Sequence, residues 1–311
     1  MLLPILNLVG YLLNAGVTYG IGILGAFDLP TNADLSLKYQ TLITPAGFTF
    51  SIWAVIFISQ LISLIYQLSN STTSNNKLVV KGIGYNYLGV CLSQIAWTIT
   101  FSTEIIWASL VCMLCILAFL SLIVYNQTKI SEEDEDYKRN TTTKKSSDFW
   151  LLRFPFLIHC GWILAATIVN INVVLVKYDV NASDQYGIGL LCAAAIVGLA
   201  VVLLTKKEFV IPLVLAWAMF GIFMELQNPK DSITERFIEK MIQGAKDRAL
   251  RGTGVIIVGY GYFMYQAFFP PPKDEKITKK EVAVEKKKTT TTTTTTGKNK
   301  KRRTKKERKS E

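Results

Sequence analysis

A single histidine, His159, serves the whole 311-residue chain, so no imidazole triad can be assembled around a metal. Five cysteines are present, and Cys112 and Cys115 form a CxxC. Both sit in the middle of an apolar run without a second ligand pair, which makes them small hydrophobes rather than zinc ligands. There is no HExxH, no phosphate-cradling GxxxxGK and no dinucleotide fingerprint. Glu104, Glu208 and Glu225 fall at the ends of apolar runs, whereas ion-coupled transporters hold ionisable groups near the midplane. Catalytic residues, a metal and a cofactor are therefore not expected. What remains is binding chemistry: rings at Trp53, Trp97, Trp107, Trp162 and Trp217, and amides at Gln94, Asn170 and Asn172. Rings supply stacking area and a few amides fix orientation. Trp107 and Trp150 fit the ordinary role of interfacial anchors near helix ends. Trp53 and Trp97 lie several residues inside their runs, where a cavity is the better reading. Buried amides in lipid need partners, so Gln94 and Asn170 should hydrogen-bond across helices or to a ligand. His159 is read as a polar bridge between two helices.

The elements that must position these groups are apolar runs. Half of the residues are hydrophobic, and runs of about 18 or more match the roughly 30 Å hydrocarbon core of a bilayer. Runs at about 5–27, 45–68, 82–102, 105–125, 149–176, 186–204, the stretch ending near Leu226 and 253–269 predict eight crossing helices. In that solvent each segment satisfies its own backbone, which selects helices over open sheets. Gly16 and Gly20 form a small-xxx-small pair for close helix approach, and Pro45 suits a first helical turn. The turn at Thr103 and Glu104 is tight enough to make its helices antiparallel neighbours. Residues 231–250 place Ile233, Phe237, Met241 and Ala245 on one stripe of a charged helix, an interfacial or packing segment too charged to cross. The run at 253–269 is at the lower length limit for a span.

Charge sets orientation. The net charge is +11, with most of the excess after Pro272 in a basic, threonine-rich tail, so nucleic-acid binding is not implied. The tail reads as disordered and drawn to anionic lipid head groups. Counting basic residues in alternate loops places the N-terminus and tail in the cytosol. Asn181 then faces the exterior as a glycosylation acceptor, whereas Asn70 and Asn140 do not. Arg308 and Lys309 near the end resemble a dibasic retrieval signal, which suggests the endoplasmic reticulum or another endomembrane.

At three places the chain resembles the TspO/MBR family of translocator and tryptophan-rich sensory proteins. TPAGFTFSIWAVIFI in the second span resembles the family's proline, small residue, aromatic and later tryptophan. LSQIAWTITF in the third resembles its Leu-Asn-x-Ala-Trp segment, and WILAATIVN in the fifth its Trp...Ala-Thr-x-x-Asn segment. The resemblance covers about residues 1–178. It implies an all-α polytopic transmembrane bundle with a five-helix TspO-like core at 1–178; about three further helices at 179–270, which the standard five-helix family lacks, make this an extended version ahead of the tail at 271–311. It also implies a pocket for a flat or bulky apolar ligand, lined by Phe48, Trp53, Gln94, Trp97, Ala166 and Asn170. Gln94 stands where the family has asparagine, and Ile95 where it has a second tryptophan. Tyr178 is followed by DVNAS rather than by the basic residue of the family's cholesterol pattern.

These readings converge on a non-enzymatic membrane protein that binds, senses or translocates a hydrophobic small molecule, porphyrin- or sterol-like. A facilitative transporter of a neutral solute is the alternative; a lipid enzyme would have to rely on Glu104, His159 and Arg153. Expected partners are membrane lipid and the hydrophobic ligand, with a homodimer allowed for and nucleic acid excluded. A mitochondrial membrane is the alternative location.

Overall fold

Apolar side chains along nearly every segment leave the backbone only one way to satisfy its polar groups locally, and the computed structural model is helical throughout, with no strand among the described residues 2–69, 76–133 and 146–269. The elements are α1 (Leu2–Val17), α2 (Asn32–Lys38), α3 (Ile52–Leu68), α4 (Asn86–Ser102), α5 (Ile106–Glu133), α6 (Phe154–Lys177), α7 (Ala182–Thr205), α8 (Val210–Glu225), α9 (Asp231–Thr234) and α10 (Glu239–Phe268). Wider turns of helix extend α1 over Thr18–Ile23 and lead into α6 over Phe149–Arg153. Five segments are long and apolar enough to cross a membrane: Leu2–Ile23, Gly47–Leu68, Ile106–Glu133, Ser146–Lys177 and Ala182–Thr205, with α8 a shorter apolar helix. The protein is thus an integral, multi-pass membrane protein. Residues Met1–Phe263 form one unit; of the second, Met264–Glu311, only 264–269 are described, so the basic tail with Arg308 and Lys309 lies outside, as do Asn70 and Asn140.

Helices run back and forth between two ends. At the first, Lys38 Nζ meets Glu104 Oε2 at 2.6 Å, Gln40 Nε2 donates to Glu225 Oε1 at 3.1 Å and Arg236 donates to the Gln40 carbonyl at 2.9 Å. At the second, Asn76 donates to Asp148 at 3.2 Å, Arg153 to Thr128 Oγ1 at 3.3 Å, and the Phe149 and Phe209 rings lie 6.0 Å apart. Three hairpins turn on the same device. Glu104, Asp179 and Lys207 adopt φ of 58°, 52° and 62°, and the next residue donates five back: Ile105 to Thr100, Val180 to Leu175, Glu208 to Leu203. That pattern closes a helix end by satisfying its last carbonyls.

α6 lies at the centre and packs on α3, α5, α7 and α8, while α4 packs on α1 and α5. Its burial follows: Phe156, Leu157, Trp162 and Ile163 are almost wholly enclosed. A Cβ on Gly161 would come within 2.9 Å of Val214 Cβ, so α6 and α8 approach backbone to side chain. The pair at Gly16 and Gly20 has no such neighbour, since a Cβ on either meets nothing within 4 Å. Close approach on α1 occurs instead at Gly10, against Leu88 and Cys91 of α4. Pro45 lies ahead of the helix, because Gly47–Ser51 forms a 3₁₀ turn before α3 begins. The amphipathic stretch and the last apolar run, read separately in sequence, are continuous in α10, which no proline or capping residue interrupts between Glu239 and Phe268.

Candidate ligand-binding cavity

A strap crosses the end of the bundle that holds Glu104. It leaves α1 through left-handed backbone at Gly25, Phe27 and Asp28 (φ 65°, 65° and 57°). It then starts α2 with a capping box, in which the Thr31 hydroxyl accepts from the Asp34 amide and the Asp34 carboxylate accepts from the Thr31 amide. Leu35, 1% exposed, plugs the strap into Phe101, Ile106, Val173 and Val176. Its far end is latched. Lys38 and the Tyr39 hydroxyl donate to Glu104, Lys177 donates to Tyr39 at 3.1 Å, and Lys177 lies 3.7 Å from Glu104. The Lys38 ammonium, then the Tyr39 hydroxyl, hold the Glu104 carboxyl below its ordinary value, and Glu104 in turn raises Lys38.

Beneath the strap lies a cavity of about 550 Å³, within the range of roughly 300–1,000 Å³ usual for small-molecule sites. It reaches from Glu225 and Lys230 at its mouth down to Trp162 and Ile196. On α6 its lining runs from Val173 to Trp162, 11 residues, which is about 16 Å at 1.5 Å per residue. Trp53, Gln94, Trp97, Ala166 and Asn170 all line this space, from α3, α4 and α6. Phe48 does not stand among the lining residues; it packs edge-on against Trp217 at 5.4 Å and near Phe220 at 6.3 Å. Phe50 lines the cavity in its place. The match to the family motif put Phe48 there, whereas Phe50, three residues before Trp53, shares its face at helical spacing and Phe48, five before it, does not. Sequence reasoning also left out α2, Ile196 of α7, and Ala218 and Ile222 of α8. Their small or aliphatic types carry no signal beyond that of lipid-facing residues.

The aromatic wall is interlocked. Trp53 meets Phe57, His159 and Trp162 at 5.8, 5.6 and 6.4 Å, and Phe50 meets Trp162 edge-on at 5.5 Å. Such tilted and edge-to-face pairs hold rings in place beyond simple burial. Behind Trp53, the Tyr87 hydroxyl donates to Gln60 Oε1 at 3.1 Å, which leaves the Gln60 amide nitrogen to donate to His159 Nδ1 at 2.8 Å. His159 is thus a bridge from α6 to α3, and this pairing places its proton on Nε2. Asn172 spends its amide on the Ile168 carbonyl at 2.9 Å, within its own helix.

Gln94, like Asn32 of α2, differs from Asn170 and Asn172 in leaving its side-chain oxygen unpaired at the cavity wall. It is 2% exposed, lines the cavity, and its Oε1 has no hydrogen-bond partner. A buried acceptor left unpaired costs about 1–3 kcal/mol, a cost that a ligand donor would remove. The mouth is polar: Glu225 accepts from Gln40 and lies 3.8 Å from Lys230 Nζ. At the opposite end of the bundle, burial raises the Glu208 carboxyl, offset by the Val210 amide and the Arg153 charge. No group of three or more His, Cys, Asp or Glu residues suited to a metal occurs among the described residues.

The arrangement is a strap-covered aromatic cavity with unpaired amide oxygens on Gln94 and Asn32, built around the three segments that carry the motif series. No curated protein and no solved structure matches the chain. The family model described as TSPO-like protein matches residues 4–241, well over half of the sequence, running past α6 through α7 and α8 to the start of α10. The chain therefore belongs to the TSPO-like protein family.

Proposed function

We propose that this protein binds a hydrophobic small molecule, porphyrin- or sterol-like, in the cavity beneath the strap, as a membrane binding, sensing or carrier protein rather than an enzyme. The observation that carries this reading is the lining: Trp53, Trp97, Trp162, Phe50 and Phe57 around one space, with the unpaired Gln94 amide at its wall. Rings of that number favour a ligand with flat or bulky apolar area, and an isolated acceptor favours one that presents a hydrogen-bond donor. Glu225 and Lys230 at the mouth suit polar substituents that stay near water.

Titration of the purified protein with protoporphyrin, followed by tryptophan quenching, tests the proposal. Saturable quenching that weakens at least tenfold in Trp53→Ala and Trp97→Ala is expected. Quenching that never saturates, or that both substitutions leave unchanged, contradicts it. The multi-pass architecture is shared by endomembrane and mitochondrial proteins; imaging of the full chain against a form lacking its last four residues separates these locations.

A further inference from the structure

The cavity wraps around α6. Asn170 and Ile168 both line it, yet residues two apart on a helix lie about 200° apart around its axis. Asn170 stands on the side of α4, where it accepts from Trp97 at 3.0 Å. Ile168 stands on the other side, together with Ala165, which also lines the space. Two contacts fix what that side faces. Gly161, two turns before Ile168 and on nearly the same line of the helix, packs on Val214 and Ile211 of α8. Asn172, one turn after Ile168, lies against α7: a Cβ on Gly189 would meet Asn172 Oδ1 at 3.3 Å and Ile43 at 3.6 Å. The space therefore has two lobes, one on each side of α6.

The lobes differ in chemistry. Toward α3 and α4 the walls are Trp53, Phe57, Trp97 and Phe101, with the unpaired Gln94 oxygen among them. Toward α7 and α8 they are Ile43, Ala165, Ile168, Ile196, Ala218 and Ile222, none of which carries a ring. Trp162, held edge-on by Phe50, stands at the divide. On α8 the lining residues Ala218, Ile222 and Glu225 follow at spacings of four and three, one line along the helix that is about 10 Å long at 1.5 Å per residue. That line is apolar until Glu225. Rings select flat ligands by stacking, whereas branched aliphatic walls suit a hydrocarbon chain that adapts its own shape. At the mouth Glu225 lies 3.8 Å from Lys230 and accepts from Gln40. Carboxylate and ammonium neutralise each other, so this end offers acceptors and donors without a free charge.

We propose that the lobe against α7 and α8 is a second subsite, which takes the hydrocarbon chain of an uncharged single-chain lipid and holds its hydroxyl head between Glu225 and Lys230. This subsite rests on the cavity being a ligand site, whatever fills its aromatic lobe. A hydroxyl donates to Glu225 and accepts from Lys230 while the two stay paired. A charged head finds no unpaired counter-charge there and has to displace an ion pair already in place. Ala218 and Ile196 set the width of the lobe from two helices, so a ring at either position occupies the space of the chain.

The full chain in phosphatidylcholine nanodiscs is incubated with a monoacylglycerol that carries a diazirine in its chain, irradiated, digested and mapped by mass spectrometry. Saturable labelling is expected at or beside Ile196, Ala218 and Ile222. Unlabelled monoacylglycerol should displace it at least tenfold more effectively than the corresponding lysophosphatidic acid, which keeps the chain and the glycerol but adds charge. Ala218→Phe and Ile196→Phe should each lower labelling at least tenfold, and by more than they lower protoporphyrin affinity; Trp97→Ala should show the reverse ranking. Helical circular dichroism and monodisperse elution show that each variant is folded. Labelling that never saturates, that falls on outward residues such as Leu191, 72% exposed, or that lysophosphatidic acid displaces equally well overturns the proposal. So do phenylalanine variants that label like the wild type, or that weaken chain and porphyrin in equal measure. Saturable labelling without protoporphyrin binding overturns the porphyrin reading of the aromatic lobe alone, and protoporphyrin binding without saturable labelling overturns the second subsite alone.

Discussion

The Trp97 indole nitrogen donates to Asn170 Oδ1 at 3.0 Å, tying α4 to α6 at the cavity wall. The ring is further fixed by stacking on Phe101, 5.0 Å away and 12° from parallel, and Asn170 also donates to Ser109 at 3.3 Å. Asn170→Leu leaves the indole N–H and the serine without this partner. A loss of about 1–3 kcal/mol is expected, with weaker porphyrin quenching and a shifted tryptophan emission. Trp97→Phe, which removes the donor but keeps a ring, should lose less affinity than Trp97→Ala. Thermal unfolding in detergent, measured alongside ligand titration, checks both.

Acid should loosen the strap through Glu104. Its folded carboxyl titrates below the ordinary 4.5, first because of Lys38 and then because of Tyr39. A depressed acid stabilises the folded state above its unfolded value, and that contribution is lost as pH falls through the folded value. Unfolding temperature should therefore drop between roughly pH 5 and pH 3, and Glu104→Gln should flatten this part of the profile. Lys38 is largely exposed at 55%, so the effect should be modest and should shrink in high salt. A Glu104→Gln profile as steep as the wild type removes Glu104 from the latch.

Gly221 is where α8 rests on the turn that delivers Phe50. A Cβ there would collide with Thr49 Cγ2 and lie 3.0 Å from Pro45 Cβ. The Ala46 amide donates to the Gly221 carbonyl at 3.0 Å, and Trp217 donates to the Thr49 carbonyl at 3.0 Å. Gly221→Val should cost about 1–3 kcal/mol by overpacking and should weaken ligand binding by moving Phe50. Gly198→Ala, where a Cβ meets nothing within 4 Å, should be close to neutral. Chemical denaturation of both variants distinguishes close approach from a general glycine effect.

Lys207 holds φ of 62° in the hairpin between α7 and α8. A left-handed backbone costs a side-chain-bearing residue about 1–2 kcal/mol, and glycine avoids it at this position beyond a helix end. Lys207→Gly should raise stability by about 1 kcal/mol. Lys206→Gly, one residue earlier at φ of −87°, should not. Melting curves of the two variants settle the comparison.

Helix content, the hairpin turn at Glu104, the end positions of Glu104, Glu208 and Glu225, and the family were legible in the residues themselves. Each depends on local composition. Lipid obliges every segment to satisfy its own backbone, so an apolar run announces a helix without help from the rest of the chain. The same holds for the motif series on α3, α4 and α6, whose tryptophans and amides are rare enough in apolar runs to stand out. His159 as a bridge was also readable, because a lone polar ring in lipid needs a partner.

Facing was not legible. Phe48 and Phe50 are equally aromatic, and the motif match alone chose Phe48, whereas the structure turns Phe50 toward the cavity and Phe48 toward Trp217. Ile196 and Ala218 look like lipid contacts until α7 and α8 are seen to close the cavity. The charged stretch of α10 reads equally as an interfacial or a packing segment, and only the contacts show it packed beside α7. Sequence by itself determined the solvent and the elements, because transfer into hydrocarbon is a property of each segment alone. Tertiary structure decided which surfaces meet, because that depends on contacts between segments far apart in the chain, and composition does not record them.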